Sequence, residues 1–284
     1  MKIAAVQMVS ATSVERNCAA AQRLVAAAAR DGAQLVVLPE YFCLMGRKDS
    51  DKLAIAEAPG AGPIQQMLSQ AAREHGVWLI GGTLPIRTAD ADRVLNSNCV
   101  YAPDGTLAAR YDKIHLFRYD NGRERYDEGS SIQAGNAPTT FQASSLQGTP
   151  PIATSLRVGL SVCYDLRFPE LYRALMFTEG HPPCDLISVP AAFTHTTGLA
   201  HWELLLRARA VENQCYVIAA AQGGLHENGR RTFGHSMVVD PWGEVVGVLP
   251  QGEGVVLAEV DAARIASVRM QLPALEHRRG FASA

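Results

Sequence analysis

The segment from Val158 to Glu170 joins an apolar run to a cysteine and then to a helix start with a proline in its first turn. Cys163 ends the apolar run, which indicates a strand-to-helix corner. Such a corner holds a side chain at a sheet edge and aims backbone N–H groups at the bond under attack. A thiol there is a candidate nucleophile, although a cysteine that ends a buried strand can also be a small core residue. The choice depends on which residues can assist the thiol.

Two further strand ends carry ionisable side chains that could assist it. Glu40 follows the apolar run 35–38 at the position where α/β folds place catalytic groups. Lys113 follows the strand-like run 108–112. Taken singly, Glu40 could be a solvated loop carboxylate and Lys113 a solvated surface charge. None of the eight histidines stands in a papain-like or caspase-like context, so the sequence indicates no histidine base.

Composition argues against several classes of function. The 26 basic residues nearly balance the 28 acidic ones, and the formal net charge is −2, so there is no basic excess for binding nucleic acid. The longest apolar run, 215–221, is far shorter than the ~18 residues that span a membrane. Residues 2–7 have a strand pattern rather than that of a secretory signal. We therefore expect a cytoplasmic protein with no nucleic-acid partner and no membrane partner.

The cysteines and histidines do not form a metal-binding pattern. No CxxC pair occurs, Cys184 lacks the second cysteine of a PCxxC motif, and His195 and His201 have no HExxH-type partner. Scattered cysteines in a long, core-rich chain favour reduced thiols. We expect neither a metal nor a cofactor. The six cysteines are Cys18, Cys43, Cys99, Cys163, Cys184 and Cys215.

Short β-rich runs alternate with helical patterns along the chain, which indicates an α/β fold with a mixed sheet. We predict strands at 3–8, 35–38, 78–81, 97–101, 157–162, 186–189, 216–220, 236–239, 245–248 and 255–260. We predict helices at 14–30, 63–74, 170–178, 200–213 and 262–270. Residues 102–105 and 240–243 are predicted turns, the second within a hairpin. The stretch 118–147 is predicted to be a long functional loop. No linker or repeat divides the chain, so we predict one domain over residues 1–284.

Taken together, the three strand ends resemble those of the nitrilase-like carbon–nitrogen hydrolase superfamily. The likeness rests on Glu40, on Lys113 in a KxHLF-type segment, and on Cys163 in a G-x-x-V-C-Y-D-x-R-F-P-E segment, and it extends from residues 5–7 to 273–278. The resemblance implies a four-layer αββα sandwich, a Glu-Lys-Cys triad and no cofactor. Under it, Glu40 is the base, Lys113 the cation on the oxyanion side and Cys163 the nucleophile.

The same resemblance implies supporting groups around the triad. The backbone N–H of Tyr164 would be the second oxyanion donor. A second glutamate often follows the lysine segment in this family, and Glu128 is the position that matches it, with Asp127 as the rival. Removing one oxyanion donor typically costs about 10²–10³ in rate.

Residues 191–203 and 209–217 resemble the Nit-type branch of the superfamily, which contains deaminated glutathione amidases and omega-amidases. Residues 219–223 and 234–243 are closer to the former, whereas Leu199 departs from the proline of the branch's TGPAHW-type segment. The resemblance implies an amidase for a small carboxylated amide, with deaminated glutathione favoured, and a homodimer or higher homo-oligomer. The alternatives are an omega-amidase acting on 2-oxoglutaramate or 2-oxosuccinamate, a nitrilase, and a catalytically silent binding protein.

A carboxylated substrate requires a cation to recognise it. Arg167, four residues after Cys163, is one candidate, and its alternative is a buried salt bridge that holds the corner. Phe193 and Thr197 are predicted to join it in binding the substrate. Arg123 and Arg125 are two more candidates, whose alternative is a solvated loop. Arg207 and Arg209 are interpreted as structural ion-pair partners.

Overall fold

Two large β-sheets organise the computed structural model, which describes residues 1–147 and 152–279. The strands are β1 (Lys2–Gln7), β2 (Leu35–Val37), β3 (Trp78–Ile80), β4 (Leu84–Arg87), β5 (Val94–Tyr101), β6 (Leu107–Asp112), β7 (Arg118–Asp120), β8 (Arg125–Asp127), β9 (Ile132–Gln133), β10 (Thr140–Gln147), β11 (Ile152–Leu160), β12 (Leu186–Ser188), β13 (Tyr216–Ala219), β14 (Ser236–Val239), β15 (Val245–Leu249) and β16 (Gly254–Glu259). The α-helices are α1 (Val14–Arg30), α2 (Asp51–Ala54), α3 (Pro63–His75), α4 (Pro169–Met176), α5 (His195–Asn213) and α6 (Ala262–Gln271).

The order of strands differs between the two sheets. The first sheet runs β16-β1-β2-β3-β5-β4, with β6 and β9 also paired to β5, and its strands β1, β2 and β3 are parallel. The second runs β10-β11-β12-β13-β14-β15, with β11, β12 and β13 parallel. The antiparallel pair β7–β8 forms a separate small hairpin. Each large sheet therefore has a parallel centre whose strands end at a common edge.

Alternation along the strands divides the core into layers. In β1, Ile3 and Ala5 belong to the cluster that contains residues of both sheets, whereas Ala4 and Val6 pack in the cluster built with α1 and α3. Successive strand residues point to opposite faces, so one strand serves both layers. Helices α4 and α5 contact the second sheet. The result is the four-layer αββα sandwich, and this prediction is confirmed.

Local capping explains where the helices begin. The Ser13 side chain accepts a hydrogen bond from the N–H of Arg16 at the start of α1, and α3 and α4 begin with Pro63 and Pro169. Helix α5 begins at His195, five residues before the predicted start, because the Thr194 side chain accepts from the N–H of residue 197 at 3.3 Å. The predicted start at residue 200 was therefore wrong.

The prediction of a long loop over 118–147 was also wrong. This stretch contains β7, β8, a 3₁₀ turn at Glu128–Ser130, β9 and β10. In β10 the apolar residues Phe141 and Ala143 are buried while Gln142 and Ser144 are exposed, a period of two that marks a half-buried strand. β10 pairs with β11 at the edge of the second sheet. Strand β4 and the one-turn helix α2 were not predicted.

Candidate active site

Three strand ends from the two sheets converge at one place. Glu40 lies three residues after β2, Lys113 directly follows β6, and Cys163 lies three residues after β11. Strand β6 is antiparallel to β5, which is antiparallel to β3, so β6 runs in the same direction as β2. The carboxyl ends of strands that share a direction lie at the same edge. The topology thus brings side chains that are distant in sequence into one cluster.

Glu40 is fixed by donors on both carboxylate oxygens. Its Oε1 accepts from Lys113 Nζ at 2.8 Å and from Asn96 Nδ2 at 3.0 Å, and its Oε2 accepts from the N–H of Ala192 at 3.0 Å. The side chain is only 1% exposed. A buried carboxylate needs such partners because its transfer from water is costly. The orientation of Glu40 is therefore set by both sheets.

Lys113 is completely buried, at 0% exposure, between two carboxylates. Its Nζ lies 2.8 Å from Glu40 Oε1 and 2.8 Å from Glu128 Oε2. Burial alone would lower the pKa of Lys113, but the negative charges of Glu128 and Glu40 outweigh it and raise that pKa above its ordinary value. The lysine is therefore a permanent ammonium in the resting site.

Glu128 closes the cluster on the side opposite Glu40. It accepts from Tyr41 OH at 2.6 Å and from the Phe117 N–H at 2.7 Å, in addition to Lys113. Burial would raise the pKa of Glu128, and the charge of Lys113 together with these donors lowers it below its ordinary value. Asp127, by contrast, has a side chain that is 45% exposed, 3.9 Å from Arg118. The structure brings Glu128 into the cluster and leaves Asp127 outside.

Cys163 occupies a strained backbone corner. Its φ of 49° lies in the left-handed region, which costs a non-glycine residue about 1–2 kcal/mol, and its N–H donates to Pro190 O at 2.9 Å. The buried Asp165 carboxylate holds the corner by accepting from Val162 N at 2.8 Å and from Tyr111 OH at 2.7 Å. The turn then continues as a 3₁₀ helix, Cys163–Arg167. These contacts fix the thiol at the sheet edge.

The Cys163 thiol is protonated at rest. Burial and the neighbouring Glu40 carboxylate raise its pKa well above the ordinary value, and the charge of Lys113 only partly opposes them. Two carboxylates and one ammonium already give the cluster a net negative charge. A nucleophile in this setting must lose its proton as it attacks, and Glu40 is the carboxylate beside it.

A cleft of about 290 Å³ opens over the cluster. Its lining residues are Glu40, Phe117, Glu128, Cys163, Tyr164, Arg167, Ala192, Phe193, Thr194, Thr197 and Arg230. All three residues predicted to bind the substrate, Arg167, Phe193 and Thr197, lie in this lining. The guanidinium of Arg167 stands 5.5 Å from the centroid of the Phe193 ring, and its Nη1 lies 3.2 Å from His201 Nδ1. Over residues 1–147 and 152–279, Arg167 has no carboxylate within 4.0 Å, so the alternative of a buried salt bridge is wrong.

Several residues of the site were not predicted from the sequence. Asn96 and Tyr41 hold the two glutamates, and Arg230 reaches the cleft from the loop after β13, where its Nη2 donates to Ala192 O at 3.2 Å. Asn96 carried a weak signal, since it is a polar residue within the β-rich stretch of β5. Arg230 follows Gly229 in a turn and had no signal, because only the fold brings it to the cleft.

Other features bear on the remaining predictions. Arg209 pairs with Glu212 at 2.7 Å and Arg207 with Glu203 at 3.4 Å, as predicted for structural ion pairs. Within the described parts of the chain, no three His, Cys, Asp or Glu side chains group as metal ligands would. Among the helices of residues 1–147 and 152–279, none combines the length and apolar character needed to cross a bilayer.

Comparison with known proteins agrees with this geometry. The sequence profile of the family described as carbon-nitrogen hydrolase matches residues 2–270. The chain belongs to the carbon–nitrogen hydrolase family. The deaminated glutathione amidase of Yersinia enterocolitica is 38% identical over 99% of this chain and 94% of that relative. The chain is therefore a carbon–nitrogen hydrolase of the nitrilase superfamily, with relatives that are amidases.

Solved structures resemble this chain over nearly its whole length. The Saccharomyces cerevisiae protein Nit3, described as a member of branch 10 of the nitrilase superfamily, superposes with a TM-score of 0.84 at 30% identity and covers 99% of this chain and 97% of that chain. The Caenorhabditis elegans NitFhit protein superposes with a TM-score of 0.81 at 36% identity, over 98% of this chain and 65% of that longer chain. The chain thus corresponds to about two thirds of NitFhit.

Proposed function

We propose that this carbon–nitrogen hydrolase is an amidase that works through a thioester on Cys163, with Glu40 as the base and Lys113 as the oxyanion-side cation. The observation that carries the proposal is the meeting of these three side chains from three separate strand ends: Glu40 and Cys163 line one cleft, and the buried Lys113 is bonded to Glu40. Their chemistry is complementary: a thiol, a carboxylate that can take its proton, and a fixed ammonium.

In the first half of the reaction, the Cys163 sulfur attacks the amide carbon as its proton passes to Glu40. Free thiols and carboxylic acids differ by about four pKa units, so a separate transfer would cost about 5–6 kcal/mol, which favours transfer concerted with attack. The Lys113 ammonium and the N–H of Tyr164, in the first turn of its 3₁₀ helix, stabilise the oxyanion. The carbon–nitrogen bond then breaks, and protonated Glu40 gives its proton to the leaving nitrogen. An acyl thioester and a free amine or ammonia result.

In the second half, water attacks the thioester carbon and Glu40 accepts the proton of that water. The same two donors stabilise the second oxyanion. The carbon–sulfur bond breaks, the sulfur regains a proton from Glu40, and the carboxylic acid leaves. Glu128 keeps Lys113 in place through both halves, because it accepts two hydrogen bonds from the ammonium and is itself held by Tyr41 and the Phe117 N–H.

For the substrate we propose deaminated glutathione. The Yersinia relative bears that name, and Arg167 gives the cleft a cation for an acyl group that ends in a 2-oxo acid. Phe193 and Thr197 line the same cleft, and the Phe193 ring lies beside the Arg167 guanidinium. A second candidate is the omega-amidase reaction on 2-oxoglutaramate or 2-oxosuccinamate, which the same arginine would favour. A nitrilase or a silent binding protein has less support, since the relatives are amidases and the three reactive side chains are all present.

We also propose a homodimer or higher homo-oligomer in the cytoplasm, with neither nucleic acid nor a membrane as partner. Helix α5 leaves Leu199, Leu204 and Val211 at least 49% exposed, and Trp242 is 51% exposed. Apolar side chains exposed together are typical of protein–protein contacts. A measurement of mass in solution, compared with the 30.6 kDa chain, tests this assembly.

Hydrolysis assays test the proposed chemistry. The purified protein is given deaminated glutathione, 2-oxoglutaramate and a matched nitrile, and release of cysteinylglycine or ammonia is followed. We expect Cys163→Ala to lose hydrolysis of every substrate. The matched control is Cys184→Ala, a fully buried cysteine that does not line the cleft, which should retain turnover. Full activity in Cys163→Ala would exclude the thioester route.

A further inference from the structure

A second cleft of about 570 Å³ adjoins the one over Cys163. The two clefts share Phe117, Glu128 and Arg230 in their linings. The second cleft continues past Glu128, away from the end that contains Arg167. Under the proposed function the acyl group lies toward Arg167, so the amine half would extend to the opposite side, toward this second cleft.

Three cations line this second cleft, the exposed Lys48 and the half-buried Lys52 and Arg230. Neither Lys52 nor Arg230 has a carboxylate oxygen within 4.0 Å over residues 1–147 and 152–279. Lys52 Nζ donates to Ser131 Oγ at 3.2 Å and lies 5.8 Å from the centroid of the Tyr41 ring. Arg230 Nε is buried and has no hydrogen-bond partner among the described residues. Both side chains are half-buried, so both retain donors that solvent does not fully satisfy.

The acidic residues around this cleft form no close ion pair with Lys52 or Arg230 within residues 1–147 and 152–279. The Glu128 carboxylate already accepts hydrogen bonds from Lys113, Tyr41 and the Phe117 N–H. Asp49 and Asp127 lie at the rim, where solvent screens them, since Asp49 is exposed and the Asp127 side chain is 45% exposed. An anion that enters the second cleft would therefore meet two half-buried cations, neither of which is held in a close ion pair.

We propose that Lys52 and Arg230 form a subsite for an anionic group carried by the amine half of the substrate. The inference rests on the proposed amidase function and adds a specificity to it. The subsite would bind the glycine carboxylate of the cysteinylglycine half of deaminated glutathione while the acyl half lies toward Arg167. A primary amide such as 2-oxoglutaramate releases ammonia and leaves the subsite unused. The geometry thus favours amides whose amine carries a carboxylate.

The test compares two substrates in four proteins. We measure kcat/KM for deaminated glutathione and for 2-oxoglutaramate in the wild type, Lys52→Met, Lys52→Arg and the remote control Lys2→Met, whose ammonium donates to Asp31 O at 2.9 Å. The kcat/KM for deaminated glutathione divided by that for 2-oxoglutaramate should fall about 10- to 100-fold in Lys52→Met. This is the change expected from the loss of one hydrogen bond to a charged group. The fall should appear mainly in KM for deaminated glutathione, because contacts remote from the reacting bond act on binding. Lys52→Arg should recover most of the ratio, and Lys2→Met should keep it.

The outcomes separate the subsite from the proposed function. If the wild type hydrolyses deaminated glutathione and Lys52→Met leaves the ratio unchanged, the subsite is refuted and the proposed function stands. If the wild type hydrolyses only 2-oxoglutaramate, the proposed substrate is wrong, and inhibition of that reaction by cysteinylglycine tests the subsite instead. Inhibition at least ~10-fold stronger in the wild type than in Lys52→Met supports the subsite, and equal inhibition overturns it. Thermal unfolding of each variant establishes that the proteins compared are folded.

Discussion

Replacing Glu128 by glutamine tests whether this carboxylate holds the cluster together. Oε1 of Glu128 accepts from Tyr41 OH at 2.6 Å and from Lys113 Nζ at 3.0 Å. Oε2 accepts from the Phe117 N–H at 2.7 Å and from Lys113 Nζ at 2.8 Å. A glutamine amide supplies one acceptor oxygen and replaces the other with a donor. One contact to Lys113 must then be lost, and the others lose the assistance of the negative charge.

The size of the effect follows from these contacts. A hydrogen bond to a charged group contributes about 1.5–3 kcal/mol and a neutral one about 0.5–1.5 kcal/mol. Loss of one charged bond, with weakening of the rest, should lower the free energy of unfolding by about 2–4 kcal/mol. Lys113 stays paired with Glu40, so the cost should remain below the value for an isolated buried charge. Turnover should fall by about 10²-fold or more, because Lys113 moves away from the oxyanion.

The pH dependence makes this prediction specific. Burial would raise the pKa of Glu128, but Lys113 and the other donors lower it below its ordinary value in the folded protein. A carboxyl with a lowered folded-state pKa stabilises the protein above its unfolded pKa of about 4.3, and this stabilisation is lost as pH falls through the folded value. The wild type should therefore exceed Glu128→Gln in unfolding free energy by the largest amount at pH 7. This difference should become smaller as the pH falls below about 4.3.

Urea unfolding at pH 7 and at pH 4 or below, together with kcat/KM at pH 7, gives these quantities. Asp127→Asn is the matched control, because Asp127 is the next residue in the chain and its exposed carboxylate lies 3.9 Å from Arg118. We expect Asp127→Asn to change stability by less than about 1 kcal/mol. If Glu128→Gln were as stable and active as the wild type, or if its deficit did not change with pH, Glu128 would not position Lys113.

Three further substitutions and one control variant test other parts of the structure. Arg167→Met should raise KM for substrates with a 2-oxo acid end by about 10- to 100-fold, measured by steady-state kinetics, and an unchanged KM would remove Arg167 from substrate binding. Asp165→Asn should lower kcat by a larger factor than it changes KM, because the Asp165 carboxylate accepts from the backbone N–H of Val162, the residue before Cys163. If the variant and the wild type had the same kcat, the corner would form without that charge. Arg209→Met should lower the free energy of unfolding in urea by about 1.5–3 kcal/mol or more, since the buried guanidinium donates twice to Leu166 O. The exposed Arg207→Met should cost less than about 1 kcal/mol, and similar losses in both would refute that argument.

The sequence was most informative where a local pattern and the fold agree. Glu40 and Cys163 each follow an apolar strand, and strand ends are where α/β folds place catalytic groups, so both could be singled out from the chain alone. The choice of Lys113 depended on family resemblance, because a lysine after a strand is usually a solvated charge. The stretch 118–147 was misinterpreted because its polar turns obscured the alternation in β10, whose pairing with β11 depends on the second sheet.

Residues brought to the site by long-range packing could not be predicted. Arg230 lies on a loop without periodicity, and its contact with Ala192 O spans 38 residues of sequence. Lys52 sits in a helix of four residues that lacks any buried side chain, so no pattern there indicates a cleft. The early start of α5 could have been inferred from Thr194, since a threonine before a helix is a common N-cap. Lys52 and Arg230 come together around the second cleft only when both sheets are assembled.

Trapping the acyl group tests the thioester on Cys163 most directly. The enzyme is quenched with acid during turnover of saturating deaminated glutathione, digested, and its peptides are weighed by mass spectrometry, with Cys163→Ala treated in parallel. We predict an acyl mass on the peptide that contains Cys163, none on peptides with the other five cysteines, and no turnover in Cys163→Ala. An acyl group on another residue, or wild-type turnover by Cys163→Ala, would contradict the mechanism.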